Sequence, residues 1–200
     1  MKYVAEKEAE NFLKKQGFDV VQTYFCKSKP CVLEASKKTG FPCVIKIYGK
    51  NVVHKNKVNG VKMNINNERE LIKEFNKMKK MKGVSGVVLQ EQIYGKEFIL
   101  GIKYTEDFGH VIAFGLGGVM VEKIGKVSFR VPPLNEIEIE NLITSLGVRL
   151  HKKEKRLIAK NIEKLCRLVP KFPKISELDI NPLMVNKHYA FVVDARMVLK

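Results

Sequence analysis

Apolar residues recur along the chain at two spacings, one typical of helices and one typical of strands. Residues 4–16 repeat apolar side chains three and four positions apart and are followed by Gly17, which predicts an amphipathic helix. Ser28, a proline in the next turn and a closing Gly40 mark a second helix. Helices are predicted over residues 4–16, 28–40, 67–81, 132–147 and 152–169, the last closed by Pro170.

Short apolar runs between turn residues predict the strands. Pro182 falls inside one run and, because proline cannot donate a ladder hydrogen bond, it predicts an edge strand or a bulge. Helices and strands do not alternate strictly, which favours an α+β fold of two lobes, about 1–92 and about 93–200, over a doubly wound sheet. Strands are predicted over residues 19–26, 41–49, 61–65, 86–93, 96–104, 111–116, 119–124, 127–131, 175–185 and 188–199.

Length and composition narrow the class of protein. The chain has 200 residues, with 45% hydrophobic and 29% charged residues, as in ordinary globular proteins. No stretch approaches the ~18 apolar residues that span a bilayer. The N-terminal segment MKYVAEKEAENFLKK lacks the apolar core of a signal peptide. We therefore expect a cytoplasmic protein that does not associate with membranes.

The formal net charge of +16 has two interpretations. One is a surface for nucleic acid or another polyanion. The other is a lysine-rich solvated surface, in which some cations serve phosphate-bearing ligands. The basic residues are spread along the whole chain without an arginine-rich arm, which favours the second interpretation and makes nucleic-acid binding the alternative.

Four cysteines are present, and none forms a C-x-x-C pair. Free thiols are the expected state in a cytosolic chain, because disulfides are rare there. Cys26 and Cys31 are close enough in sequence to leave a weak metal site open as an alternative.

Two basic segments are candidates for phosphate binding. Lys46 stands among apolar residues of a predicted strand, where an ammonium group is costly to desolvate unless it meets an anion. A lysine on the solvent side of an edge strand fits the same pattern. His54 lies in the polar loop 49–60, where backbone N–H groups and lysines can cradle phosphates and the imidazole can accept a phosphoryl group. An ordinary surface loop is the alternative.

Polar oxygens occur on the last two predicted strands. Asp179 and Asn181 precede Pro182, and Asp194 follows an apolar run. Adjacent strands can bring Asn181 and Asp194 to one magnesium ion, which prefers oxygen ligands. Surface carboxylates on the wet face of a sheet are the alternative. Residues 115–118, although glycine-rich, are interpreted as a hairpin turn, because a strand rather than a helix follows them.

Seven segments follow one another in the order FPCVIKI, HKNKVNGV, VVLQEQIYGKEFILG, FGHVIAFGLGG, SFRVPPL, ELDINPL and VVDAR. Each is a weak signal alone, but in this order they resemble the ADP-forming acyl-CoA synthetases over nearly the whole chain. The resemblance is to the β subunit of that family. It implies an ATP-grasp fold, in which two α+β lobes enclose a nucleotide cleft.

The resemblance implies a set of nucleotide-binding residues. Lys46 would hold the α- and β-phosphates of ATP or ADP. Glu91, Gln92 and Ile93 would meet the adenine through backbone hydrogen bonds. Glu97 would bond to the ribose.

The resemblance also implies residues for phosphoryl transfer and for Mg²⁺. His54 matches a histidine that carries phosphate transiently beside the nucleotide, and Asp179 matches an acid that steadies a phosphohistidine arriving from the partner subunit. Asn181 and Asp194 match a magnesium-binding pair.

Two places depart from the family pattern. In the loop that holds His54, Lys57 replaces an acid and Asn59 replaces a glycine. Asparagine tolerates positive φ, so the turn can survive, while Lys57 adds positive charge. The Arg-Gly…Asp segment expected before the last long helix is replaced by GVRLHKKEKRL.

The implied activity is that of an acid–CoA ligase (ADP-forming), active with a CoA-binding α subunit in an α2β2 assembly. Three alternatives remain from the sequence. They are an ATP-grasp carboxylate ligase that acts alone, a basic nucleic-acid-binding module, and a nucleotide sensor that does not transfer phosphate.

Overall fold

The chain folds into two compact units, as described by a computed structural model for residues 1–49, 60–118 and 126–200. The large unit comprises Met1–Val20 and Ile93–Lys200, and the small unit comprises Val21–Gln92. Both units combine helices with antiparallel strands, which confirms the predicted α+β class.

The predicted helices all occur, and most strands fall within a few residues of their expected bounds. In chain order the elements are β1 (Lys2–Val4), α1 (Glu6–Lys15), β2 (Thr23–Cys26), α2 (Lys29–Thr39), β3 (Cys43–Tyr48), β4 (Val61–Ile65), α3 (Glu68–Lys79), β5 (Gly86–Glu91), β6 (Lys96–Thr105), β7 (Gly109–Leu116), β8 (Val127–Arg130), α4 (Glu136–Thr144), α5 (Lys152–Lys171), β9 (Ile175–Val185), β10 (Ala190–Val192) and β11 (Ala195–Leu199).

The small unit is a four-stranded sheet in the order β2-β5-β3-β4, with α2 and α3 packed against it. Each helix begins at a residue whose side chain accepts a backbone hydrogen bond. Ser28 Oγ accepts from the N–H of Cys31 at 3.4 Å, and Asn67 Oδ1 accepts from the N–H of Glu70 at 2.9 Å. The core of the unit is formed by Val32, Ile45, Leu71, Phe75 and Leu89, among others.

The large unit has a sheet in the order β1-β11-β9-β6-β7-β8, with β10 also paired to β9. Helix α5 packs its apolar side onto β6, β7, β9 and β10, and α4 packs beside it. Apolar residues at helical spacing explain this, since Ile158, Ile162, Leu165 and Leu168 are all buried. No helix in the described ranges combines the length and the apolar composition needed to cross a bilayer.

Strand β9 lies inside the large sheet, so the edge-strand interpretation of Pro182 is wrong and the bulge interpretation is confirmed. The pairing with β6 shifts register between Phe98 and Leu100, opposite the proline. On the other side, Pro182 falls between the β9 residues that pair with β10 and those that pair with β11. An interior strand can therefore accommodate a residue without an N–H group.

The structure differs from the predicted elements in three places. The expected strand 188–199 is two strands, β10 and β11, separated by Val193 and Asp194. Strand β1 was not predicted, and it pairs with β11. This pairing places the first twenty residues in the large unit, whereas the sequence predicts one lobe over residues 1–92. The strand expected at 119–124 lies outside the described residues.

Two of the four cysteines are paired rather than free. Cys26 at the end of β2 and Cys31 in the first turn of α2 form a disulfide, while Cys43 and Cys166 are free thiols. The expectation of free thiols is therefore wrong for Cys26 and Cys31, since the start of α2 turns back onto the end of β2.

An ion pair joins the beginning of β6 to the first turn of α5. Lys96 Nζ donates to Glu154 Oε2 at 2.7 Å and to the carbonyl of Arg149 at 3.2 Å. The same carboxylate oxygen accepts from the N–H of His151 at 2.7 Å. Burial raises the pKa of Glu154, but the bonds from Lys96 and His151 outweigh it and hold this pKa below its ordinary 4.5.

We expect Glu154→Gln to lower the free energy of unfolding by about 1–3 kcal/mol near neutral pH, because the side chain is 7% exposed and its charge strengthens both bonds. Because the pKa of Glu154 is lower in the folded state than in the unfolded state, its ionised form stabilises the protein at pH values above the unfolded-state pKa. This contribution is lost as the pH falls through the folded-state pKa. The two proteins should therefore converge in urea-induced unfolding as the pH falls below the folded pKa of Glu154.

Glu140→Gln is the matched control. Glu140 pairs with Lys155 at 3.7 Å with 68% of its side chain exposed, so its loss should cost under about 0.5 kcal/mol. Equal losses in the two variants would contradict a stabilising role for the buried pair.

Candidate functional site

Lys46 is buried in the middle of a sheet. It lies on β3, which pairs with β5 on one side and β4 on the other, and its neighbours in register are Val88 and Val61. Only 5% of the residue is exposed, so the alternative of a lysine facing solvent from an edge strand is excluded. An ammonium group at this depth is stable only with polar or anionic partners.

Glu91 and Gln92 lie at the end of the small unit, where β5 finishes. Glu91 is exposed and is the last residue of the strand. The side chain of Gln92 holds β4, because its Oε1 accepts from the N–H of Asn64 at 2.6 Å and its Nε2 donates to Asn64 Oδ1 at 2.7 Å. Asn64 has φ of +57°, so these two hydrogen bonds stabilise a residue in the left-handed conformation. The N–H of Gln92 also lies 3.4 Å from the carbonyl of Pro42.

The segment after Ile93 is fixed by the turn between β9 and β10. The Tyr189 hydroxyl donates a hydrogen bond to the carbonyl of Tyr94 at 2.9 Å. The backbone N–H of Tyr94 lies 3.4 Å from the same hydroxyl. Asn186 Nδ2 donates to the same carbonyl at 3.0 Å. A side chain on Gly95 would collide with the backbone of Val185. These contacts were not predicted, because they join positions about ninety residues apart.

Glu97 lies on β6 against the glycine-rich end of β7. The N–H of Gly117 donates to the carbonyl of Glu97 at 2.8 Å. A Cβ at Gly118, where φ is +67°, would meet the carboxylate of Glu97. Residues 119–125 are not described, so the predicted hairpin turn is not tested. These glycines have a second role that the sequence alone does not show, namely room for an acidic side chain.

Asp179, Asn181 and Asp194 come together where β9 meets the break between β10 and β11. The N–H of Asn181 donates to the carbonyl of Asp194 at 3.1 Å. The N–H of Val193 donates back to the carbonyl of Pro182, also at 3.1 Å. These two hydrogen bonds join the bulge in β9 to the break between β10 and β11. The backbones of Asn181 and Asp194 are therefore close together, as predicted.

Asp179 has a strongly perturbed carboxyl group. Burial raises its pKa from 3.8 to about 6, and the carboxylates of Glu177 and Asp194 act in the same direction. Arg196, its register partner on β11, acts in the opposite direction. The group therefore titrates close to neutral pH, where a small change of surroundings alters its charge.

The predicted site residues divide between the units. Lys46, Glu91 and Gln92 belong to the small unit, whereas Ile93, Glu97, Asp179, Asn181 and Asp194 belong to the large unit. His54 lies outside the described residues, as do Lys57 and Asn59. A cavity of about 280 Å³ lined by Ile143, Val148 and Lys155, among others, contains none of these residues.

Comparison with known proteins identifies the family. The model of the ATP-grasp domain matches residues 1–199, so the chain belongs to the ATP-grasp family. It is 32% identical over 98% of its length to the β subunit of an acetate–CoA ligase (ADP-forming) I from Pyrococcus furiosus, covering 91% of that subunit. It is 35% identical to an acetate–CoA ligase (ADP-forming) II from Archaeoglobus fulgidus, of which it spans 30%.

Solved structures agree with this assignment. The dinucleotide-forming acetyl-coenzyme A synthetase 1 of Ca. Korarchaeum cryptofilum, in complex with coenzyme A and Ca-AMPCP, superposes with a TM-score of 0.88. Identity is 32%, over 100% of this chain and 94% of the other. A second structure of that protein holds Mg-AMPPCP, with a phosphohistidine segment pointing towards the nucleotide binding site, and gives a TM-score of 0.82.

We expect Asp179→Asn to stabilise the protein above pH 6, since it removes a half-buried charge. A raised folded pKa favours the folded state below the unfolded pKa of about 4, and this contribution is lost as the pH rises through about 6. The gain should be on the order of 1–3 kcal/mol in urea-induced unfolding at about pH 7.5 and should vanish near pH 3.5.

Asp107→Asn is the control, because Asp107 is an exposed aspartate of the same unit in the turn between β6 and β7 and does not act on Asp179. It should change stability by under about 0.5 kcal/mol. A destabilised Asp179→Asn variant at about pH 7.5 would show that the electrostatic attraction of Arg196 outweighs the cost of burial.

Proposed function

We propose that this chain is the nucleotide-binding β subunit of an ADP-forming acyl-CoA synthetase that acts with a CoA-binding α subunit in the cytoplasm. The observation that carries the proposal is the match to a Pyrococcus furiosus β subunit over 98% of this chain and 91% of that subunit. The reaction is acyl-CoA + ADP + phosphate ⇌ carboxylic acid + CoA + ATP. Acetate is the proposed acid and α2β2 the proposed assembly.

Lys46 neutralises the phosphates of the nucleotide. Its burial in β3 supports this role, since an ammonium group shielded from water attracts an anion more strongly than an exposed one. Phosphoryl transfer depends mainly on positioning and on charge neutralisation. A fixed cation on an interior strand provides both.

The adenosine is held by the segment that leaves β5 and enters β6. Because the N–H of Gln92 is directed at Pro42 and its side chain at Asn64, we assign adenine recognition chiefly to the backbone of Glu91 and Ile93. Glu97 accepts hydrogen bonds from the ribose. The glycines beside its carboxylate support this assignment, since they leave the group space at the end of β7.

Asn181 and Asp194 hold Mg²⁺. Their donor set fits the ion, with one carboxylate and one amide oxygen on adjacent backbone segments and the remaining positions left to water and phosphate oxygens. No cluster of three His, Cys, Asp or Glu suited to a metal occurs among residues 1–49, 60–118 and 126–200. When bound, the ion supplies positive charge to the phosphates.

The phosphoryl group passes between a histidine of the α subunit and ADP. The N–P bond of that phosphohistidine breaks as His54 forms its own, and the β-phosphate oxygen of ADP then takes the group from His54, giving ATP. Asp179 steadies the incoming phosphohistidine by accepting a hydrogen bond from its ring N–H. A carboxyl that titrates near pH 6 can do so only when ionised, so its protonation limits the reaction in acid.

We expect Lys46→Met to weaken binding of Mg-ADP at least about tenfold, because a buried charge opposite the phosphates is lost. Isothermal titration calorimetry on the isolated chain measures this directly. Lys62→Met is the matched control on β4, where the side chain is exposed, and it should bind as the wild type does. Similar losses of Mg-ADP affinity in both variants would contradict the assignment of Lys46 to the nucleotide site.

We expect the chain to form ATP from acyl-CoA, ADP and phosphate only after mixing with its α subunit. In the reconstituted enzyme, His54→Ala should reduce turnover by roughly 100-fold or more while Mg-ADP still binds. A coupled assay for ATP measures the rate. Unchanged turnover would remove the relay role of His54, and ATP formation without the α subunit would contradict the proposed division of labour.

A further inference from the structure

Helix α5 carries a straight row of cations along its outer side. Lysine or arginine recurs at intervals of three and four residues, so that the side chains fall within an arc of about 80° around the helix axis. Most of these residues are exposed, while the opposite side of the helix is buried. We call this set the basic row, and it comprises Lys153, Arg156, Lys160, Lys164, Arg167 and Lys171.

The row lies in a segment where positive charge is concentrated. Within Lys152–Lys171 there are eight Lys or Arg residues and two Glu residues. This tenth of the chain therefore carries +6 of the total +16. One of the two acids, Glu154, is turned inwards to Lys96 and does not offset the row.

The row is unfavourable for the isolated helix. Like charges four residues apart repel each other, as at Arg156 and Lys160, and a cation in the first turn opposes the helix dipole. The pKa of Lys164 is lowered, first by burial and then by Arg167 and Lys160, against the attraction of Asp19. Helix formation and core packing do not explain such an arrangement, which an external anion would relieve.

Few anions of the protein offset the row. In the part of the chain that the structure describes, Glu163 pairs with Arg167 at 3.9 Å, and Asp19 acts on Lys164. Lys164 also lies over the ring of Phe18 at 5.1 Å. The remaining cations of the row are exposed, so salt or a bound polyanion can offset their charge.

We propose that the basic row binds the sugar–phosphate backbone of a nucleic acid. A straight series of point charges over about 27 Å of helix matches the regular phosphates of a strand and reads no base sequence. A folded acidic protein would need an apolar centre in its interface, and no large apolar residue of Lys152–Lys171 is exposed. A membrane surface would attract the row by charge alone, without the apolar side chains that insert into a bilayer, and vesicle binding is therefore one outcome of the test below. The proposal is independent of the catalytic role proposed above.

The test is binding to a fluorescent DNA duplex of about 20 base pairs, followed by anisotropy between about 50 and 200 mM salt. With six phosphate contacts, the logarithm of the binding constant should fall with the logarithm of salt concentration at a slope of about −5. The triple variant Lys153→Gln, Lys160→Gln, Arg167→Gln should bind more weakly and reduce that slope by about 2.7. Its binding of Mg-ADP should be unchanged.

The control is the triple variant Lys38→Gln, Lys77→Gln, Lys82→Gln, which removes the same charge from exposed positions of the small unit. It should retain the wild-type slope. Equal losses in both variants would overturn the proposal in favour of a general charge effect. So would absence of binding to both duplex DNA and single-stranded RNA, or stronger binding to polyglutamate or to phosphatidylserine vesicles than to either nucleic acid. A preference between DNA and RNA would identify which backbone the row takes.

Discussion

The antiparallel pairing of β6 with β9 is the constraint on which the large unit depends. It joins two segments about eighty residues apart, and Gly101 lets them approach because a side chain there would collide with the carbonyl of Leu178. One side of the pair supports the buried face of α5. The same two strands carry Glu97, Asp179 and Asn181, so the pairing that builds the core also fixes the polar residues that the proposed chemistry requires.

Local sequence predicts much of this architecture and part of the candidate site. Helices α2 and α3 are predictable because their caps, Ser28 and Asn67, act within three residues. The meeting of Asn181 with Asp194 follows from two neighbouring strands with polar residues at corresponding places. In the small unit, Lys46 is suggested by residue type, since it is a charge within an apolar run, whereas Glu91 and Gln92 follow only from the family resemblance.

Features that depend on distant pairing are not predictable in this way. Strand β1 is three residues long and exists because β11 offers it an edge. The hydrogen bonds from Tyr189 and Asn186 to the carbonyl of Tyr94 join the turn between β9 and β10 to the segment before β6, about ninety residues earlier. A local count shows that residues 152–171 are rich in cations, but only the helix places six of these cations on one side. Periodicity reveals which side of a helix is buried more readily than it reveals a purpose for the other side.

The glycine at 118 has a consequence for how this sequence can vary over time. Its Cα lies where any side chain would strike the carboxylate of Glu97, twenty-one positions earlier. A side chain at 118 would have to displace that carboxylate and would also adopt a left-handed backbone conformation, with φ near +67°. Two independent constraints therefore favour glycine at this position, and only the first depends on what stands at 97.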